Sequence, residues 1–357
     1  MAAPAKDPSK TNLPIAVRRA QASDKDVVLS FATRTWDGWD YIPEVWDDWL
    51  VATDGVLLVA TAQADDRPIA LTRLAMLSDD EGWLEGIRVD PAVRGRGVAT
   101  NLQIAELSWA RAHHLRVLRY MTGQGNEGSL KLGAHHGFAV VGDRRFHGRP
   151  TDDAAGPGDR TSVLDALQAA GVLLPADSDD ADIEGAWSIV DEDATFRAGG
   201  RLYEIRPWAL QWLDRERFAA HVRAGEVLFD PAPAAVAIMP HIEALAEDDH
   251  PHLALLAGDG LGALRLMLAA ETAAGQPIGV RMIDPAPMFE DAAIVEAWHD
   301  AGLKARDWAI HVLERQLPPG EPLPSPEPDG ALVLRDPPGR TAVPPHVGHT
   351  SRTGAQP

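Results

Sequence analysis

The sequence predicts an α/β (α+β) protein, a mixed sheet flanked by helices, built as two similar halves. Three observations carry this. Stretches of period two alternate with stretches of helical period along the chain. A glycine-rich turn, Val93-Arg-Gly-Arg-Gly97, joins an extended stretch directly to a long amphipathic one. A strand–helix–strand–helix spacing also recurs. Gly97 to Val117 and Gly260 to Val280 each span 20 positions, and Gly97 to Gly137 spans 40 against 42 from Gly260 to Gly302.

In order, Ile15–Arg19 alternates like a strand, and Ser23–Thr35 has helical periodicity behind a Ser cap. Gly55–Ala62 and Pro68–Met76 read as strands, Asp79–Gly82 as a turn, and Trp83–Val89 as a strand stopped by Pro91. Val98–His113 is a helix that opens on glycines. Arg116–Met121, Glu127–His136 and Phe138–Arg144 follow as strand, helix and strand. Residues 147–182 are rich in Asp, Ala, Gly and Pro, with one helix at Ser162–Ala170. The second half has a strand at Leu253–Ala257, a helix at Ala263–Ala274, a strand at Ile278–Ile283 and a helix at Glu290–Ala301. The expected organisation is an arm (1–13), a first domain (14–150), a linker region (151–182), a second domain (183–336) and a tail (337–357). Eleven of the 28 prolines lie from Pro318 onward, interrupted by a candidate strand at Ala331–Asp336.

Composition narrows the function. Of 357 residues, 33 are Lys or Arg and 53 are Asp or Glu, a formal net charge of −20. Such a surface repels nucleic acid and anionic membranes but admits a cationic or zwitterionic small molecule. There is no cysteine, so disulfides, thiolate metal sites and a cysteine nucleophile are excluded, and no metal site is expected. No apolar stretch reaches transmembrane length and Met1–Leu13 lacks an apolar signal core, so a cytoplasmic protein is expected.

The chemistry is carried by Ile87-Arg-Val-Asp-Pro-Ala-Val-Arg-Gly-Arg-Gly-Val-Ala-Thr100. A strand that breaks into a glycine turn and then a helix gathers unpaired backbone N–H groups at the positive end of the helix dipole. That geometry suits a pyrophosphate. Gly95 and Gly97 let phosphate oxygens approach the backbone, and Arg94 and Arg96 can add charge-assisted bonds. The turn is neither a Walker loop nor the dinucleotide fingerprint.

The stretch Arg94-x-x-Gly97-x-Ala99 resembles the acetyl-coenzyme A signature of the GNAT (Gcn5-related) acetyltransferases. Asn126-x-x-Ser129-x-x-Leu132, running on to Gly137-Phe138, resembles that family's second element. The resemblance covers about residues 14–146. It implies the GNAT fold, with a degenerate copy in the second half, and an acetyl-CoA-dependent N-acetyltransferase. The coenzyme would lie along Ile87, Arg88, Val89, Arg94, Gly95, Arg96, Gly97, Val98, Ala99 and Thr100, with Asn126 at its pantetheine arm. One departure stands out. Many members carry a Tyr four positions before the Gly-Phe pair, to protonate the leaving thiolate. Here that position is Gly133, and its counterpart in the second half is Trp298. His135 and His136 are nearby alternatives. Glu85 lies in the signature strand and by period two shares a face with Trp83, Ile87 and Val89. It is either a general base for the incoming ammonium or an edge carboxylate paired with Arg88 or Arg119.

Trp36–Trp49 holds four of the 11 tryptophans with four Asp and one Glu. Trp46 and Trp49 read as a core face, whereas Trp36, Trp39, Asp40 and Tyr41 suit contact with a cationic amine. This stretch, with Leu84-Glu-Gly-Ile-Arg-Val-x-Pro91, resembles the vertebrate histidine N-acetyltransferase group, which implies a free amino acid acceptor such as histidine. The two-domain acetyltransferase of mycothiol synthesis shares the layout. Protein N-termini and antibiotic amines are alternative acceptors, and a non-catalytic acyl-CoA-binding module is the alternative class. In the second half Gly260-x-Gly262 persists, but Ala257 stands where the signature has Arg or Gln.

Overall fold

The computed structural model describes residues 13–33, 35, 39–149, 160–240, 252–320 and 330–332. The expected tail (337–357) and all of the expected arm except Leu13 lie outside them. The described residues form two compact units. One draws on those within 13–120, 127–139 and 314–332, the other on those within 121–126 and 140–313. No helix among them is long and apolar enough to cross a membrane.

The first unit begins β1 (Ile15–Arg19), α1 (Lys25–Ala32), α2 (Ile42–Val51), β2 (Gly55–Ala62), β3 (Pro68–Met76) and β4 (Glu81–Val89). It continues with α3 (Val98–Ala112), β5 (Val117–Gly123) and α4 (Glu127–His135). Its sheet order is β5-β4-β3-β2-β1, with a late strand, Gly330–Leu332, parallel to β1. The strands β1 to β4 are antiparallel neighbours; turns at Gln63–Arg67 and Leu77–Asp80 reverse the chain between β2, β3 and β4, and α1 and α2 connect β1 to β2. β2 and β3 are almost wholly buried, so they read as continuous apolar runs rather than alternating ones. On one face α1 and α2 pack through Phe31, Ile42, Trp46 and Trp49 against Leu57, Val59 and Leu71. α3 packs along β1 to β4. Trp46 and Trp49 are the core face the i,i+3 spacing predicts.

Two features of β4 shape the site. Its parallel ladder with β5 pairs Glu81 with Val117, Gly82 with Leu118 and Trp83 with Arg119, and six further residues of β4 run on past it. Against β3 the register shifts: Arg73 faces Glu85 and Leu71 faces Arg88, so Thr72 alone opposes Gly86 and Ile87. This is a β-bulge, and Gly86 takes a φ of +71° within it. A side chain there would collide with Trp49, because a Cβ on Gly86 would sit 2.6 Å from the indole ring. The bulge ends the period-two alternation, so Glu85 does not share a continuous face with Ile87 and Val89, as plain alternation predicts.

The second unit contains β6 (Ala139–Gly148), α5 (Arg160–Ala169), α6 (Asp180–Glu192), α7 (Ala194–Ala198), a hairpin β7 (Leu202–Arg206) and β8 (Ala209–Trp212), and α8 (Arg215–Arg223). Then come β9 (Val227–Pro231), β10 (Ala234–Ile238), β11 (His252–Leu253), β12 (Leu255–Gly258), α9 (Gly260–Ala274), β13 (Gly279–Ile283), α10 (Ala292–Asp300) and β14 (Lys304–Gln316); the late strand of the first unit is β15. β9, β10 and β12 form an antiparallel sheet, and β13 pairs antiparallel with β6 and parallel with β11. Trp298 on α10 is core: it is 2% exposed, and its indole N–H donates to the Gly260 carbonyl at 3.1 Å. The order β12-α9-β13-α10-β14 repeats the order β4-α3-β5-α4-β6.

Candidate active site

The glycine turn is where the sequence places it. Pro91–Val93 makes one 3₁₀ turn capped by the Asp90 carboxylate, the chain then extends at Arg94, and α3 starts at Val98. Gly95 and Gly97 have φ of +75° and +78°, a left-handed conformation that side-chain-bearing residues rarely adopt. Gly97 is the N-cap of α3 and no side chain caps the helix. The first-turn amides are therefore available to a ligand. A Cβ on Gly95 would meet nothing within 4 Å, so the approach to the turn is open. Arg94 is exposed and its Nε donates to the Val89 carbonyl at 3.2 Å, which ties the turn to the end of β4. Ile87, Arg88, Val89, Arg96, Ala99 and Thr100 are half-buried around the same strand–turn–helix junction, while Val98 is in the core. This opening fits an anionic coenzyme arm.

Asn126 follows β5 in the segment that belongs to the second unit, its backbone N–H donating to the Gly123 carbonyl at 3.0 Å.

Beside the turn the structure assembles a charged cluster. Asp40 is 4% exposed and is gripped by Arg88 through Nε at 2.6 Å and Nη2 at 3.2 Å, and it also accepts the Ile42 backbone N–H at 3.1 Å. The Arg88 guanidinium lies over the Tyr41 ring, 5.1 Å from its centroid. Glu85 pairs with Arg73, while Arg119 is taken by Glu81 and Glu314. Arg73 also binds Asp54 at 2.7 Å and lies 5.2 Å from the Trp49 ring centroid. Among the described residues, three carboxylates, Asp40, Asp54 and Glu85, face two guanidiniums, a net of one negative charge. Burial raises the Tyr41 hydroxyl's pKa above its ordinary value; Arg88 opposes the shift, and Glu85 and Asp40 add to it. The phenol thus stays protonated. Trp39 is half-buried beside Asp40, and Trp36 lies outside the described residues.

Sequence reasoning missed Arg73, Asp54, Thr72 and Glu106. Glu106 sits on α3 and is 1% exposed, and its Oε1 lies 2.7 Å from Thr72 Oγ1. Thr72 Oγ1 in turn lies 3.5 Å from the Glu85 carbonyl. Burial pushes the Glu106 carboxyl up to about 8, only partly offset by Thr72, so it is largely protonated at pH 7. A signal existed: Arg73 interrupts the apolar run of β3, and Glu106 stands beside Leu102, Ala105 and Trp109 on one helical face. Gly133 is buried in α4. His136 is buried with both ring nitrogens unpartnered, and desolvation lowers its pKa to about 4, which marks a neutral core imidazole.

The model of the acetyltransferase (GNAT) family matches residues 27–138. These residues are a GNAT acetyltransferase domain. The matched span of the GNAT domain runs from α1 to Phe138, so it holds both the glycine turn and the charged cluster. Histidine N-acetyltransferases of Oreochromis niloticus and Scomber australasicus are 33% and 34% identical to this chain over 103 and 92 residues. Those matches cover 28% and 26% of this chain, and only 30% and 26% of the relatives' own length. A GCN5-related N-acetyltransferase from Sphaerobacter thermophilus has a TM-score of 0.53 at 14% identity, over 87% of this chain and 98% of that one. That likeness concerns the fold, and it extends well beyond the GNAT domain.

Proposed function

We propose that the chain transfers an acetyl group from acetyl-CoA to the amine of a small molecule, with a free amino acid such as histidine as acceptor. The observation that carries this is the uncapped, glycine-opened N-terminus of α3 at the end of a bulged strand that presents Glu85. The α3 amides, with Arg94 and Arg96, hold the coenzyme's pyrophosphate. Backbone groups of Ile87, Arg88 and Val89 align its arm. A backbone N–H of β4, beyond its ladder with β5, steadies the developing oxyanion. Glu85, oriented by Arg73, takes the proton from the acceptor ammonium directly or through water. The amine nitrogen then bonds to the thioester carbonyl carbon and the carbon–sulfur bond breaks. The sulfur leaves with the bonding electron pair as a thiolate, and the nitrogen's second, surplus proton passes to that thiolate or to water as the amide forms. A free thiol has a pKa of about 8.5, so departure at neutral or mildly basic pH does not demand the phenol that Gly133 lacks.

The acceptor reading rests on charge. A cluster with one net negative charge favours a cationic amine, and a chain of net charge −20 disfavours polyanions. The local likeness to histidine N-acetyltransferases agrees with a free amino acid. Asp40 acts through Arg88 and Tyr41, since its own oxygens are engaged. Gly133 and the Arg73–Glu85 pair favour a second reading, a module that binds acyl-CoA without turnover.

Thiol release from acetyl-CoA, followed over histidine, other amino acids, a peptide N-terminus and an aminoglycoside, separates the two. Turnover with a free amino acid is expected. Acetylation of the peptide alone would overturn the acceptor, and coenzyme binding without thiol release from any amine would establish the second reading.

A further inference from the structure

We propose that the second unit holds a buried site for a small monovalent oxyanion, formed by Arg144 of β6 and Arg281 of β13. The two strands pair with Arg281 opposite Phe146 and Ile283 opposite Arg144. Alternation then places Arg144 and Arg281 on one face as diagonal neighbours. Both line a cavity with Thr195, Phe196, Leu255 and Met282.

The donors of this cavity are incompletely used. Arg144 is 5% exposed; one terminal nitrogen donates to the Gly199 carbonyl, and its Nε has no partner. No carboxylate among the described residues forms an ion pair with it. Burial lowers its pKa to about 10, against the opposing pull of Glu204. Arg281 pairs through Nη1 with Glu204 Oε1, and its guanidinium lies 4.6 Å from the Trp208 ring centroid, but its Nε is likewise unpartnered. Glu204 is 1% exposed. Its Oε1 also accepts the Trp208 backbone N–H at 2.7 Å, while Oε2 is buried without a partner.

Two guanidiniums against one carboxylate leave one uncompensated positive charge in an apolar interior, a costly state that an anion relieves. A water molecule would satisfy the polar atoms but leave the charge. The free space admits only one or two water-sized groups, which excludes phosphate esters and coenzymes. The ligand is therefore a single carboxylate-sized monoanion. It accepts from the two Nε–H groups. The Thr195 Oγ1, which accepts the Met288 N–H at 3.0 Å, keeps its own hydrogen for the anion. The same chemistry is offered by a free ion or by the carboxylate end of a larger molecule.

The test is a calorimetric titration of the full chain with sodium formate, sodium bicarbonate and glycine. Ionic strength is held with sulfate, which is too large and too highly charged for the site. One saturable site per chain is expected, weakened at least tenfold in Arg144→Lys, which keeps a positive charge but lacks Nε. Arg281→Lys serves if the first variant does not fold. Binding of formate and bicarbonate but not glycine would identify a free ion, and binding of glycine would identify a carboxylate end. A crystal structure of the wild-type chain grown with formate should show planar density between the arginines. No saturable heat, equal affinity in the variants, or a lone water in the cavity would overturn the proposal.

Discussion

Asp40 illustrates how a residue's partners fix what its substitution reads. Its carboxylate is buried against Arg88, and breaking one side of a buried ion pair costs roughly 3–5 kcal/mol. Asp40→Asn is therefore expected to lower the melting temperature as well as to weaken acceptor binding, and an unchanged melting curve would show that the pair contributes nothing. Glu85 is more exposed, and Arg73 holds it whether or not it reacts. Glu85→Gln should lower kcat and move the acid limb of the pH–rate profile while leaving coenzyme affinity within about twofold. An unaltered profile would make Glu85 structural. Glu106 gives a pH prediction of definite sign. Its folded pKa, about 8, lies above the unfolded carboxyl value of about 4.5, so the folded state holds the extra proton between them. Stability contributed by this proton is intact below about pH 4.5 and is lost as pH rises through 8. His136 and His147 are lowered to about 4 by burial, so they act in the opposite sense, gaining stability as pH rises from 4 to 6.5. Above pH 6.5 only the Glu106 slope remains among these three. Glu106→Gln should flatten the decline in melting temperature between pH 6.5 and 9. A decline of equal steepness in both proteins would mean that the carboxyl is not protonated.

At the scale of elements, the two glycine-opened helices show why a motif needs its surroundings. α3 starts at an uncapped Gly97 with open space at Gly95. α9 starts behind Asp259, whose carboxylate accepts the Leu261 and Gly262 amides at 2.9 and 3.2 Å. An anionic cap occupies the position a phosphate would need, and side chains at Gly260 and Gly262 would collide with Ile294 and the Pro233 carbonyl. Those glycines serve packing. Strands with long β-branched runs or Pro and Gly brackets, such as 15–19, 55–62 and 68–76, match their observed bounds, because local pattern and burial agree. α2, α8 and the β7–β8 and β9–β10 hairpins were not legible, since their periodicity is short and tertiary contacts decide them. The glycine turn was legible because its chemistry is local. The Arg73–Glu85 and Thr72–Glu106 contacts were not, because they join β3 to β4 and β3 to α3 across the sheet.

The whole molecule is expected to bind one coenzyme, in the first unit, and no pyrophosphate at α9. The two units share a succession of strand and helix, but of their two glycine-opened helices α3 lacks a side-chain cap and α9 has one. The fold likeness to the Sphaerobacter thermophilus protein spans both, so the second unit belongs to a recurrent architecture whatever it binds. The most direct test is a calorimetric titration of acetyl-CoA into the wild-type chain and into Gly97→Trp, with circular dichroism to confirm that the variant folds. One coenzyme per wild-type chain and none in the variant is the expected result. Two per chain, or unchanged affinity in Gly97→Trp, would contradict it.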